Sequence, residues 1–256
     1  MLLQMDCSLA RGYTSASQQA RVLTESWVES NMFCPRCGSF HLAHFANNQP
    51  VADFFCPQCS NQFELKSKNG VALEKINDGA YSTMIERITG MNNPDFFFMS
   101  YSNSTWTVQN FFFVPKHFFT PEIIEKRAPL APTARRAGWT GCNILLKQIP
   151  ATGRISIVKN GVIVDKETVL KETSIANNLM VGNIEARGWL LDVLTCVERM
   201  PSASFTLAEI YEFEDELSMK HPDNHNVKAK IRQQLQLLRD KGVIEFVQPG
   251  KYRKVI

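Results

Sequence analysis

Four cysteines stand as two C-x-x-C pairs, Cys34-Pro-Arg-Cys37 and Cys56-Pro-Gln-Cys59, with eighteen residues between them. A C-x-x-C turn sets two sulfurs about one tetrahedral edge apart, and two such turns complete the four-thiolate shell of a zinc ribbon. Four protein ligands leave no open position, so this Zn²⁺ would be structural. Two disulfides or four free thiols are the competing accounts, and nothing else in the chain points to the oxidising compartment that disulfides need.

A second pattern is threaded through the first: Pro50-Val51-Ala52-Asp53 and then, after ten residues, Glu64-Leu65-Lys66. Alternate side chains of an extended strand share a face, so Glu64 and Lys66 point one way while Phe63 and Leu65 point into the core. Two carboxylates and an ammonium suit Mg²⁺-assisted phosphodiester hydrolysis, because hard cations prefer carboxylate and carbonyl oxygens. Asp53, Glu64 and the Leu65 carbonyl would hold Mg²⁺. Lys66 would position or help deprotonate the attacking water and offset charge on the phosphate. Taken alone, D-x(10)-E-x-K also arises on solvated sheet faces.

The PD-(D/E)xK signature with a C-x-x-C ribbon spliced around it resembles the DpnI-type methyl-dependent restriction endonucleases. The likeness continues through Phe45, Asn47, Asn48, Asn77–Tyr81, Asn92–Pro94, Ala128–Trp139 and Lys230–Leu235, and so spans nearly the whole chain. It implies a type II endonuclease that cuts duplex 5′-GATC-3′ bearing N6-methyladenine and leaves blunt ends. It also implies that Trp139 senses the adenine methyl group and that the protein is a monomer. The fold class expected is α/β, a restriction-endonuclease-like core with an inserted zinc ribbon, plus a C-terminal winged helix.

These groups need elements to hold them. Ser15–Ser30 carries Ala20, Leu23 and Trp27 at helical spacing, which predicts a helix with Glu25 solvated upon it. His41 and His44 lie between the cysteine pairs and read as loop or outer-shell residues, since the four thiolates already satisfy the metal. Asn77–Thr89 reads as a helix capped by Asn77 or Asp78 and ended by Gly90. Asp95–Ser100 and Asn110–Val114 are phenylalanine-rich runs expected as strands covered on both faces. Lys126–Trp139 has prolines, four basic groups and Gly-Trp, and reads as an irregular loop. Arg135 and Arg136 there could meet phosphates or a groove, and Trp139 a base edge. Asn160-Gly161 between two β-rich arms signals a hairpin.

Lys166–Asn183 is polar and poorly periodic, which places a domain boundary there, with residues 1–182 as the nuclease domain and 183–256 as the winged helix. Within the latter, Trp189–Val197 reads as a first helix, and Thr206 caps a second holding Leu207, Ile210, Phe213 and Leu217. The third runs from about Asn226 to Asp240. Its Val227, Ile231, Leu235 and Leu238 form an apolar stripe, opposite Ala229, Arg232, Gln233 and Gln236 and flanked by Lys228 and Lys230. Arg and Gln on such a face can read guanine and adenine edges. A wing follows, ending Lys251-Tyr252-Arg253-Lys254.

Composition bounds the rest. The chain has 256 residues, 44% hydrophobic, with a net charge of +3. Charge is distributed unevenly: residues 183–224 carry three basic against nine acidic groups, and residues 225–256 eight basic against two, so the last segment is the candidate phosphate-facing side. Cys7, Cys142 and Cys196 fall outside the ribbon and are expected as reduced thiols in or near cores. No run is long enough for a signal peptide or a membrane span, so a cytoplasmic protein acting on adenine-methylated double-stranded DNA is expected. A nuclease of other specificity, or a zinc-ribbon and winged-helix transcription regulator that binds without cutting, remains open on the same residues.

Overall fold

The computed structural model describes residues 1–45, 52–90 and 92–255. Asn47, Asn48, Pro50 and Val51 of the motifs above lie outside the described residues.

Helix α1 (Ala16–Asn31) is followed by the first cysteine pair and the short strands β1 (Ala43–His44) and β2 (Phe54–Phe55). Then come β3 (Gln62–Asn69), β4 (Ile76–Ala80), α2 (Tyr81–Thr89), β5 (Asp95–Ser102), β6 (Thr107–Val114), β7 (Ile124–Lys126), β8 (Gly141–Ile144), β9 (Ile155–Lys159), β10 (Val162–Ile163) and α3 (Lys166–Asn178). The carboxy-terminal part holds α4 (Ile184–Arg199), β11 (Ser204–Thr206), α5 (Leu207–Tyr211), α6 (Glu214–Lys220), α7 (Val227–Asp240), β12 (Ile244–Gln248) and β13 (Lys251–Lys254).

Among the described residues the main sheet has seven strands in the order β1-β2-β3-β5-β6-β9-β10, of which only the β3–β5 pair is parallel. A parallel pair needs a crossover, which β4 and α2 supply. Phenylalanines fill the space behind this pair: Phe63, Phe96, Phe97, Phe98, Phe111 and Phe113 are fully buried. Phe97 stacks on Phe63 and Phe111, and Trp27 of α1 meets Phe111 edge-on. On the opposite face Phe96 and Phe98 meet Phe119. Burial on both faces is why these runs read as continuous rather than alternating. Asn160 and Gly161 both take positive φ between β9 and β10, as the turn signal requires.

Two smaller sheets complete the structure, β4-β8-β7 and β11-β13-β12. In the latter a winged-helix arrangement is plain: α4, the α5–α6 segment and α7 pack on one another and are closed by the β12–β13 wing. Thr206 and Glu209 form a reciprocal capping box at the start of α5. No helix among the described residues is long and apolar enough to cross a membrane.

Four expectations need correction. Residues 77–80 belong to strand β4, because pairing with β8 outcompetes the helix start that Asn77 and Asp78 advertise, and α2 begins only at Tyr81. Lys166–Asn178 is a helix, capped by Asp165 and seated on Val169, Thr173 and Ala176, a stripe too small and polar to register as periodic. The second winged-helix segment breaks at Glu212–Phe213 into α5 and α6. Cys142 and Cys196 are buried, but Cys7 is exposed.

Candidate active site and metal centre

The two cysteine turns are near copies. The Cys34 carbonyl accepts from Gly38 N–H and the Cys56 carbonyl from Ser60 N–H, both at 2.8 Å. Cys34 N–H donates to Ser39 at 2.8 Å and Cys56 N–H to Asn61 at 2.9 Å. Gly38 and Ser60 both take positive φ, which lets each turn fold back. The Sγ atoms of Cys34, Cys37, Cys56 and Cys59 all lie within 4.8 Å of one another, with Cys34–Cys59 and Cys37–Cys56 at 3.6 Å. Those separations match the edge of a tetrahedron with Zn–S bonds of about 2.3 Å. Without an ion the four thiols compete for protons: burial raises Cys34 and Cys59, while the Cys59 and Gln58 amides and the neighbouring sulfurs bring Cys56 down to about 7. The donor set therefore fits zinc.

Arg36, inside the first turn, fixes this ribbon to the sheet. Its guanidinium donates twice to Asp95 at 2.7 Å, and Asp95 also accepts from Lys116 N–H at 2.8 Å.

Strand β2 ends its pairing with β3 at Phe63, and there the sheet forks. Asp53 sits at the fork, just before β2. Its N–H donates to the Phe63 carbonyl at 3.0 Å and its Oδ2 accepts the Leu65 N–H at 2.7 Å. In an extended strand the N–H and C=O of one residue point to the same edge, so the Leu65 carbonyl opens beside the Asp53 carboxylate. Burial pushes the Asp53 carboxyl up; the Leu65 amide opposes this, and the nearby Glu64 and Glu25 carboxylates add to it.

Glu64 and Lys66 share the other face of β3. Lys66 Nζ donates to Glu64 Oε1 at 2.6 Å and to Asp78 Oδ1, while Arg87 of α2 reaches Glu64 Oε2 at 3.3 Å. Burial alone would lower the Lys66 ammonium, but Glu64 and Asp78 outweigh it and hold it well above its ordinary value. Asp53 thus meets β3 at Leu65, between Glu64 and Lys66 in sequence and near enough to both for their charges to act on its carboxyl. Asp53, Glu64 and the Leu65 carbonyl would offer an all-oxygen donor set of the kind a hard cation such as Mg²⁺ prefers.

Three neighbours are not expected at the site from sequence: Glu25 reads as solvated, Asp78 as a possible helix cap, and Arg87 is not named. Glu25 is only partly solvated: its side chain is 17% exposed, bonded to Arg21 at 2.8 Å and His44 at 3.2 Å, and close enough to raise Asp53. Helical spacing sets it away from Leu23 and Trp27, so only the packing of α1 against β3 reveals it. Asp78 and Arg87 come from β4 and α2, and only the crossover brings them to β3.

The candidate DNA contacts lie elsewhere. Strands β7 and β8 form a hairpin whose long connection holds Arg135, Arg136 and Trp139. Leu130 and Trp139 bridge its base through Leu130 N–H to Trp139 O at 2.9 Å, and the Arg136 guanidinium lies 4.6 Å from the Trp139 ring. A Cβ on Gly141 would fall 2.9 Å from that ring, so a side chain there would require the indole to shift. Arg135 and Arg136 are exposed and Trp139 half-buried.

On α7 the residues Val227, Ile231, Leu235 and Leu238 are buried, whereas Lys228, Ala229, Arg232, Gln233 and Gln236 form the exposed face. Lys228 pairs with Glu214 at 2.9 Å, and Arg232 donates to the Tyr211 hydroxyl at 3.0 Å. In the wing Lys251 is half-buried and Arg253 is exposed, paired across the hairpin with Glu245.

Two comparisons with protein families bear on this arrangement. The DpnI model, described as the Dam-replacing family, matches residues 1–181. Its carboxy-terminal companion, described as the Dam-replacing HTH domain, matches residues 185–254.

Proposed function

This chain belongs to the DpnI, Dam-replacing family of methyl-dependent restriction endonucleases, and from that premise we propose that it is a type II enzyme cutting methylated GATC. The substrate is duplex 5′-GATC-3′ carrying N6-methyladenine, the catalytic metal is Mg²⁺ and the products have blunt ends. The bond from the Leu65 amide to Asp53, beside the Glu64–Lys66 pair of β3, supports the reading.

Asp53, Glu64 and the Leu65 carbonyl would hold the cation. When bound, it supplies Lewis acidity to the phosphoryl oxygen and lowers the pKa of a coordinated water. The chain supplies orientation and charge. Asp53 is preset by the Leu65 amide, and the Lys66 ammonium, held by Glu64 and Asp78, would offset charge as water adds to phosphorus and the ester P–O bond breaks. The zinc ribbon supports Asp53 through β1 and β2.

We place the division of labour at residues 1–182 for cleavage and 183–256 for a second, winged-helix reader. Arg135 and Arg136 would contact backbone or groove, with Trp139 as an apolar wall for the methyl. Lys228, Lys251 and Arg253 would meet phosphates, while Ala229, Arg232, Gln233 and Gln236 face the major groove. Removing one methyl from water contributes only about 0.8 kcal/mol, so reading it at two places multiplies a small preference. The protein would act as a cytoplasmic monomer. Digestion of matched GATC plasmids, methylated and unmethylated, with Mg²⁺ tests this directly: cleavage confined to the methylated plasmid is expected, and equal cutting of both removes the methyl requirement.

A further inference from the structure

We propose that Asp78 is a positioning residue for cleavage, holding the Lys66 ammonium in register with the scissile phosphate from outside the strand that carries it. This rests on the reading of Asp53, Glu64 and Lys66 as the catalytic group.

Three observations lead there. Lys66 Nζ lies between two carboxylates, Glu64 from its own strand at 2.6 Å and Asp78 from β4. Glu64 already serves two cations, Lys66 and Arg87, and it is also a candidate metal ligand. A Glu64 turned toward a cation would release Nζ, and Asp78 is then the anion left to hold it. The lysine needs a second anchor.

Asp78 is also built to stay in place. The pairing of β4 with β8 slips between Asp78 and Ala80, so a bulge falls at Gly79. Bulges beside active sites re-aim side chains and free backbone groups from the ladder. Here the Gly79 N–H turns back onto Asp78 Oδ1 at 2.7 Å. The Asp78 side chain is 9% exposed and close enough to Cys142 to help raise that thiol. The same strand pair leads into the loop with Trp139: Ala80 lies opposite Gly141, and Tyr81 N–H donates to Thr140 O at 3.1 Å. Lys66 is therefore anchored on the small sheet from which the basic loop projects.

An ordinary structural ion pair would stabilise the fold and leave turnover alone, which separates the two roles. The test uses the full-length zinc-loaded protein and four chains: wild type, Asp78→Asn, Asp78→Glu and Glu125→Gln. The last removes the exposed Lys75–Glu125 pair of the same small sheet, 2.9 Å long, as a control. Single-turnover cleavage of a methylated GATC duplex at saturating protein is measured, with duplex affinity and thermal midpoint determined without Mg²⁺. Asp78→Asn is expected to cleave about 10- to 100-fold more slowly, the cost of a misplaced group, with affinity unchanged. Its midpoint should stay within about 3 °C of the wild type. Asp78→Glu recovers part of the rate, and Glu125→Gln cleaves as the wild type does.

A second readout needs no turnover: in Mg²⁺-free protein the Lys66 ammonium protons, followed by NMR, exchange with water faster in Asp78→Asn than in wild type. Cleavage by Asp78→Asn within twofold of wild type, a loss explained by weaker binding or melting, or unchanged ammonium exchange overturns the proposal. A wild type inert toward methylated DNA removes the nuclease reading itself, and this inference with it.

Discussion

Asp53 accepts the backbone N–H of Leu65 at 2.7 Å, so a carboxylate and a main-chain carbonyl are fixed side by side at the point where the main sheet divides. The geometry is set by a main-chain hydrogen bond. Its cost is electrostatic, since burial and two neighbouring carboxylates raise the Asp53 carboxyl.

Asp53→Asn is therefore expected to abolish cleavage while leaving duplex binding intact. It should also melt higher than wild type at pH 7 without Mg²⁺, because an unfavourable buried charge is removed. The sign follows from linkage. A raised folded pKa means the folded chain holds its proton longer, so Asp53 subtracts stability as pH rises from the unfolded value of 3.8 through the folded one, and the deficit persists at pH 7. Residual cutting by Asp53→Asn, or a lower midpoint, would contradict the assignment.

The ribbon is expected to bind one Zn²⁺ per chain, measurable by metal analysis of the purified protein. Chelation, or Cys56→Ser, should release it and loosen β1 and β2, lowering the thermal midpoint by about 10 °C, a loss of several kcal/mol in a domain of this size. Cleavage should fall in parallel, because Asp53 precedes β2. A metal-free chain of undiminished stability would show that the thiols do not need the ion.

His117 sets a pH limit on the fold. Its ring is 2% exposed, with Nε2 donating to the Ala176 carbonyl at 2.8 Å and Nδ1 without a partner among the described residues. Burial, with Arg36 and Arg187 nearby, lowers it to about 4 despite the Ala176 bond. The unfolded chain takes up this proton near pH 6.5, so stability present above that value is lost as pH falls toward 4, by about 3 kcal/mol in all. His117→Gln, which keeps a donor for Ala176, should flatten that segment of the stability profile in denaturant titrations.

The two candidate readers should fail in different ways. Trp139→Ala is expected to narrow the ratio of methylated to unmethylated cleavage. Gln233→Ala should weaken specific binding by about 1–3 kcal/mol, whereas Lys228→Ala should weaken all duplexes alike and lower the salt slope by about 1. Competition binding at several salt concentrations separates these patterns, and an unchanged discrimination ratio in Trp139→Ala would remove it as the methyl sensor.

What was legible in the sequence is what lies close along the chain. The cysteine pairs announce their own turns, Glu64-x-Lys66 follows from the strand period, and the apolar stripe of α7 follows from the helical one. Asp78 could not be read in the same way, because Asn-Asp-Gly advertises a cap or turn and only pairing with the distant β8 makes it a strand. Glu25 looks like any helix glutamate until α1 is laid against β3, where Thr24 meets Ser67 at 3.4 Å. Helix α3 was hidden by the modest size of Val169, Thr173 and Ala176, whose burial depends on the sheet beneath them. Tertiary partners, not local preference, decided each of these.

The rings packed behind β3 have a bearing on how the protein meets a bent or distorted duplex. Phe63 is wedged against Phe97 and Phe113, and it directly precedes Glu64. Close-packed interiors resist sliding, so a strand anchored this way yields little to an incoming ligand. On the proposed reading, accommodation then falls to the helix axis of the nucleic acid and to the hairpin bearing Trp139: the cutting edge would stay put and the target be brought to it.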